Sequence, residues 1–213
     1  THLQFWRSHA IKILFLLIIA VVALSLRLHG LEWDDGNLFH PDERSIYMRA
    51  DCMYRTLIDQ PGWENCSNQD FPLDEPGIPS FSTLLDSDRS PLNPHWFPLG
   101  TILIYVLIPI QAFLDLILGD VVLNDLAIAG RILTALADTG SVLFIYVIGR
   151  RLFGFSVGLL ASTLTTFTAI NIQLTHFYRP EPFIILLSLV LFWLMLNTLE
   201  HDRRRDHFGL GVI

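Results

Sequence analysis

Five charge-poor apolar runs, at residues 11–28, 97–118, 130–149, 155–174 and 182–199, constrain this chain more than any other feature. Residues 13–26 carry no charge. With Lys12 and Arg27 able to snorkel at either end, the run from Ile11 to Leu28 just covers the roughly 30 Å of a bilayer's hydrocarbon. Apolar residues make up 52% of the chain and charged ones only 16%, which places it among membrane proteins. The first run lacks a small-residue cleavage site before Arg27-Leu28-His29-Gly30, so it reads as a retained anchor and not as a signal peptide. The sequence opens on Thr1 and stops at Phe208–Ile213, where another apolar segment is starting, and so reads as part of a longer protein.

The formal charge of -7 is concentrated: residues 29–96 hold 13 Asp and Glu against 4 Arg, while the rest is nearly balanced, which argues against nucleic acid as a partner. Both cysteines, Cys52 and Cys66, fall in this acidic stretch; they form a disulfide if it faces an oxidising compartment and remain two thiols otherwise.

Charge also sets the topology. Arg7 and Lys12, the short loop Gly149-Arg150-Arg151-Leu152-Phe153-Gly154 and the segment His201-Asp202-Arg203-Arg204-Arg205 should all be cytoplasmic by the positive-inside rule. Five spans cannot satisfy this; four can, if 97–118 does not cross, and the rival is a five-span bundle with Arg150 and Arg151 outside. That run contains Pro98, Pro109, Gln111 and Asp115, and a lone carboxylate at depth costs about 2.5–3.5 kcal/mol on insertion scales. The expected fold is thus an all-α membrane protein with about four transmembrane helices and a large extracytoplasmic loop. In detail, 1–28 is an anchor helix. Residues 29–129 form the loop, with an amphipathic helix at 42–58 and a juxtamembrane or re-entrant helix at 97–118. Three spans occupy 130–199, and 200–213 is a basic cytoplasmic segment leading into further apolar sequence.

Two outer loops would then share one membrane face. The first carries Phe39-His40-Pro41-Asp42-Glu43-Arg44, where Pro41 suits the first helical position and the acids fill the first turn. Ile46, Tyr47, Ala50, Met53, Tyr54 and Leu57 follow at three- and four-residue steps. An ionised Asp42 there can take a proton from an attacking hydroxyl. The second loop reads His176-Phe177-Tyr178-Arg179-Pro180-Glu181-Pro182 and offers an acid, a base and an aromatic. Arg179 near the headgroup plane has the guanidinium a phosphate needs, or else it snorkels. Arg131 either binds a lipid phosphate or anchors the interface, and Asp138, inside an apolar run, faces another helix or a cavity. Asp42 and Glu43 could hold a divalent cation, but two ligands are too few to define a site.

The order of these features resembles a known family. His40-Pro41-Asp42-Glu43 leads into Tyr47 and Ala50. Later, Gly130-Arg131-Ile132-Leu133-Thr134-Ala135-Leu136 runs to Tyr146-Val147-Ile148-Gly149-Arg150-Arg151-Leu152-Phe153-Gly154, and Ser90-Pro91-Leu92-Asn93-Pro94-His95-Trp96-Phe97-Pro98-Leu99-Gly100 stands as a Pro-rich entry to a juxtamembrane helix. Together they resemble the N-terminal part of the GT-C membrane glycosyltransferases, closest to family 39 and its bacterial relatives, the protein O-mannosyltransferases and the aminoarabinose transferase of lipid A.

The resemblance implies an inner-membrane, multi-pass enzyme that moves a sugar from a polyprenyl-phosphate donor to an acceptor hydroxyl, with inversion, on the extracytoplasmic face. It implies Asp42 as the base, Glu43 as a neighbour that positions substrate, and Glu181 as the second loop's acidic residue. His40, Arg131, His176, Tyr178 and Arg179 are the candidate substrate contacts. The rival reading is a non-catalytic scaffold subunit of a larger membrane complex, derived from such an enzyme. The interiors of the four expected spans hold no histidine, which disfavours a haem or pigment subunit, and no internal repeat suggests a transporter.

Overall fold

A computed structural model of the chain describes residues 2–58, 80–86, 90, 92–94, 97–119, 121–201 and 211. The described residues contain helices and no strand, as expected for apolar segments whose backbone groups must bond internally in hydrocarbon. The helices are α1 (His2–Leu28), α2 (Pro41–Leu57), α3 (Phe81–Leu84), α4 (Ile102–Leu118), α5 (Leu123–Phe153), α6 (Phe155–Thr166), α7 (Ala169–Leu174) and α8 (Pro180–His201). The chain divides into two compact units, residues 1–31 with 131–213 and residues 32–130. Cys66 and the basic segment 202–205 lie outside the described residues.

Among the described residues three helices are long and apolar enough to cross a membrane, Ala10–Leu28 of α1, Leu123–Phe153 and Pro180–Glu200. The spans of α1 and α8 are apolar nearly all round: Ile13, Leu14, Phe15, Leu17, Ile18 and Val21 of α1 are exposed, as are Ile184, Leu187 and Phe192 of α8. In water this surface would be a liability; lipid is its natural solvent.

The run 155–174, expected as a single span, is instead two helices. The 12 residues of α6 rise only about 18 Å, and a break at Phe167 and Thr168 precedes the 6 residues of α7. The cause is local. Thr163, Thr165, Thr166 and Thr168 each turn the hydroxyl back onto the carbonyl four residues earlier, at Leu159, Ala161, Ser162 and Leu164. Such back-bonding satisfies the hydroxyls but weakens and bends the helix.

Between α5 and α6 the chain reverses on Gly154, whose φ of 91° suits glycine. The two helices then meet at glycines. A Cβ on Gly149 would lie 3.0 Å from Gly158 Cα, and one on Gly158 would lie 2.6 Å from Arg150 N. This is the small-residue approach that membrane helices use to maximise van der Waals contact.

Side-chain contacts sort the first unit into two ends. At one, Lys12 sits over the Phe155 ring at 5.3 Å, and Arg151 ion-pairs with Glu200 at 2.7 Å. At the other, His176 Nε2 lies 2.7 Å from the His29 carbonyl and Arg131 donates to the Leu31 carbonyl at 2.6 Å. The segment 32–130 therefore leaves and re-enters this unit at positions joined by one hydrogen bond.

Arg27 departs from the snorkelling expected of it. It is fully buried, and its Nε donates to Asp138 Oδ2, itself 2% exposed, while Nη1 donates to the Ala23 carbonyl at 3.0 Å and more weakly to that of Thr166. The carboxylate in the apolar run is thus neutralised from the neighbouring helix.

In the second unit α2 packs against α4. Buried side chains include Ile46, Tyr47, Ala50 and Met53 on α2 and Leu103, Ile104 and Leu107 on α4, each large one contributing about 1.5–3 kcal/mol of apolar burial. Between them Asp51 accepts from Arg55 Nε at 2.9 Å and from Gln111 Nε2. Asp115, expected to be costly at depth, accepts the Val121 amide at 3.0 Å and ties down the turn after α4. Cys52, buried on α2, is disulfide-bonded.

Candidate functional site

The acidic motif sits where local sequence rules put a helix start. His40 is the N-cap of α2, its Nδ1 accepting from the Glu43 amide at 3.5 Å, and Pro41 occupies the first helical position, where no N–H is needed. The loop that delivers it is braced by Asp34, which is buried and accepts the Leu38 amide at 3.1 Å.

Asp42 and Glu43, adjacent on the helix, point about 100° apart and meet different surroundings. Asp42 is half-exposed. Glu43 is fully buried, and the Tyr47 hydroxyl lies 3.1 Å from its Oε1 and 3.0 Å from the Ala127 carbonyl. Only Asp42 is accessible enough to meet a substrate proton; Glu43 is held inside its unit by Tyr47.

In the other unit the second motif is equally ordered. Pro180 opens α8 and Glu181 falls in its first turn, so α2 and α8 both begin with proline followed by a carboxylate. Each carboxylate gains about 0.3–1 kcal/mol from the helix dipole. Glu181 Oε1 accepts from Arg179 Nη2 at 2.5 Å, while its covered Oε2 has no hydrogen-bond partner among the described residues.

Tyr178 is fully buried and meets Phe183 edge-on at 5.8 Å; burial pushes its hydroxyl well above the ordinary tyrosine range and keeps it neutral. His176 places Nδ1 2.8 Å from the Ile172 carbonyl of its own segment, while Nε2, against the His29 carbonyl, ties this turn to the end of α1. Arg131 is fully buried at the same end.

The structure thus brings His40 to Glu43, Arg179 to Glu181, and His176 and Arg131 to the backbone just after α1. Among the described residues no three His, Cys, Asp or Glu side chains cluster as metal ligands would. Sequence reading missed the Arg27–Asp138 pair and the Asp51–Arg55–Gln111 cluster. The available signal for the first was an arginine at the edge of one apolar run and a lone aspartate inside another, which invites pairing.

The fold defines a multi-pass helical membrane protein with carboxylates at two proline-led helix starts. The family follows from the sequence: residues 109–213, just under half of the chain, match the model described as dolichyl-phosphate-mannose-protein mannosyltransferase, and this part of the chain belongs to that family of membrane glycosyltransferases. The match includes α5 from Leu123, the glycine-mediated α5–α6 turn and the Arg179-Pro180-Glu181 motif. No curated protein and no solved structure matches the chain.

Proposed function

We propose that this chain carries the N-terminal part of a glycosyltransferase that moves a sugar from a polyprenyl-phosphate donor to an acceptor hydroxyl on the extracytoplasmic face. The observation that carries the reading is the sorting of the first unit. The His29–Leu31 exit and the 175–181 turn are bonded together at one end, and Lys12, Arg150 and Arg151 gather at the other. The positive-inside rule makes the basic end cytoplasmic, so both acidic motifs leave the membrane on the outer side.

In this reading Asp42 is the base. As the acceptor oxygen attacks the anomeric carbon, Asp42 takes its proton, the carbon–oxygen bond to phosphate breaks, and polyprenyl phosphate departs with the bonding electrons. Attack opposite the leaving group inverts the centre. Glu43 holds the first turn of α2 through Tyr47, and Arg179, oriented by Glu181, is the guanidinium of the second outer loop suited to a phosphate.

Asp42→Asn keeps the helix start and removes the base. In membranes expressing the protein from its complete gene, transfer of labelled sugar from polyprenyl phosphate should fall by about 10²–10⁴-fold with expression unchanged. Turnover at the wild-type rate refutes the assignment of Asp42.

A further inference from the structure

The basic end of the first unit contains a cavity of about 170 Å³ lined by Lys12, Ile13, Leu16, Tyr146 and Arg150. Its construction follows from the sequence. The contact of Gly149 with Gly158 draws α6 against α5, which sets Phe155 edge-on to Tyr146 at 6.3 Å, and Lys12 reaches from α1 over the Phe155 ring. The result is an aromatic wall with two cations beside it and two aliphatic side chains along α1.

The three described cations at this end are not equivalent. Arg151 is consumed, with Glu200, Asn197 and the Leu196 carbonyl all bonded to its guanidinium. Lys12 and Arg150 make no ion pair among the described residues, and both line the same cavity. Two like charges lining one recess repel each other, and a ring face is a weak counter-ion, so an anion between them gains from both. A phosphate diester suits a guanidinium and an ammonium together, and Ile13 and Leu16 offer the adjoining apolar surface that a free phosphate would not use.

We propose that Lys12 and Arg150 bind the headgroup phosphate of an anionic phospholipid, with the start of an acyl chain along Ile13 and Leu16. The site lies at the end of the unit away from His176 and Glu181 and does not depend on the catalytic reading. It ties the foot of α1 to the α5–α6 turn through a lipid in place of a carboxylate.

The test titrates detergent-purified protein with phosphatidylglycerol or phosphatidylcholine and counts bound lipid by native mass spectrometry. Wild type should prefer phosphatidylglycerol, and each cation removed should cost about fivefold in its affinity, so K12Q/R150Q loses about thirtyfold while phosphatidylcholine binding stays put. Arg151→Gln, which removes a cation already engaged, should change the affinity less than twofold, about the reach of a screened rim charge. Arg150→Gln alone, at an exposed side chain with no bond to lose, should still show the fivefold loss and guards against misfolding of the double variant. Equal affinity for the two lipids, an unchanged affinity in Arg150→Gln, or displacement by inorganic phosphate as effective as by lipid would overturn the proposal.

Discussion

Breaking the Arg27–Asp138 pair asymmetrically offers the sharpest energetic test of the fold. Both side chains are essentially excluded from solvent, at 0% and 2% exposure, and the pair joins α1 to α5 across 111 positions of sequence. Removing one partner of a buried pair costs about 3–5 kcal/mol, because the other charge is left without compensation. The two halves should not cost the same. A carboxylic acid abandoned by its cation can bind a proton and become neutral, whereas a guanidinium cannot shed its own.

Asp138→Ala should therefore fall at the upper end, about 4–5 kcal/mol, and Arg27→Met, which keeps most of the stem, nearer 3. The double variant leaves no charge to bury and should cost less than Asp138→Ala alone, so the cycle gives a coupling of at least about 2–3 kcal/mol. Reversible unfolding in mixed detergent micelles, followed by tryptophan fluorescence, measures all four species. If the single costs simply add, or if Arg27→Met is the more damaging change, the buried pair is not what holds these helices together.

Three further outcomes follow from particular contacts. The Tyr54 hydroxyl is pushed from 10.0 up to about 12 by burial, reinforced by its bond to Asp115. The native state then holds a proton that the unfolded chain gives up between these values. Stability should be level below pH 10, fall as pH rises to about 12, and fall less in Tyr54→Phe, as an alkaline unfolding series will read. Gly158→Ala should destabilise by about 1–3 kcal/mol, because its Cβ would meet the backbone of Tyr146 and Arg150; stability equal to wild type would mean that α6 is not packed so closely. Gln111→Leu takes a donor from Asp51 but also removes a buried amide oxygen that has no partner, two effects of about 1–3 kcal/mol with opposite signs. Its thermal midpoint should stay near wild type, whereas Asp51→Ala, which takes the carboxylate from Arg55 and the acceptor from Gln111 Nε2 together, should lower it clearly.

What could be read from the sequence was whatever is encoded locally. Run length and charge distribution are properties of a single segment, so the helical membrane character was legible, and the order of short motifs carried the family. Pro41 and the spacing from Ile46 to Leu57 are likewise local signals, and they locate α2. Arg27 was misread because its sequence neighbours are those of any helix-end anchor; its partner lies 111 residues away. The break inside 155–174 escaped because hydropathy treats threonine as mildly polar and takes no account of hydroxyls competing for helix carbonyls. The different burial of Asp42 and Glu43 depends on Tyr47 and Ala127, which only the folded unit brings together.

The central proposal is a topology in which the segments carrying Asp42 and Glu181 are extracytoplasmic and Lys12 and Arg150 are cytoplasmic. Single cysteines at the exposed positions Phe39, Gln173 and Ser156, probed in intact cells with a membrane-impermeant maleimide, test it directly. Phe39→Cys and Gln173→Cys should label from outside, and Ser156→Cys only after permeabilisation. Labelling of Phe39→Cys and Gln173→Cys from opposite sides, or of Ser156→Cys from outside, would contradict the account.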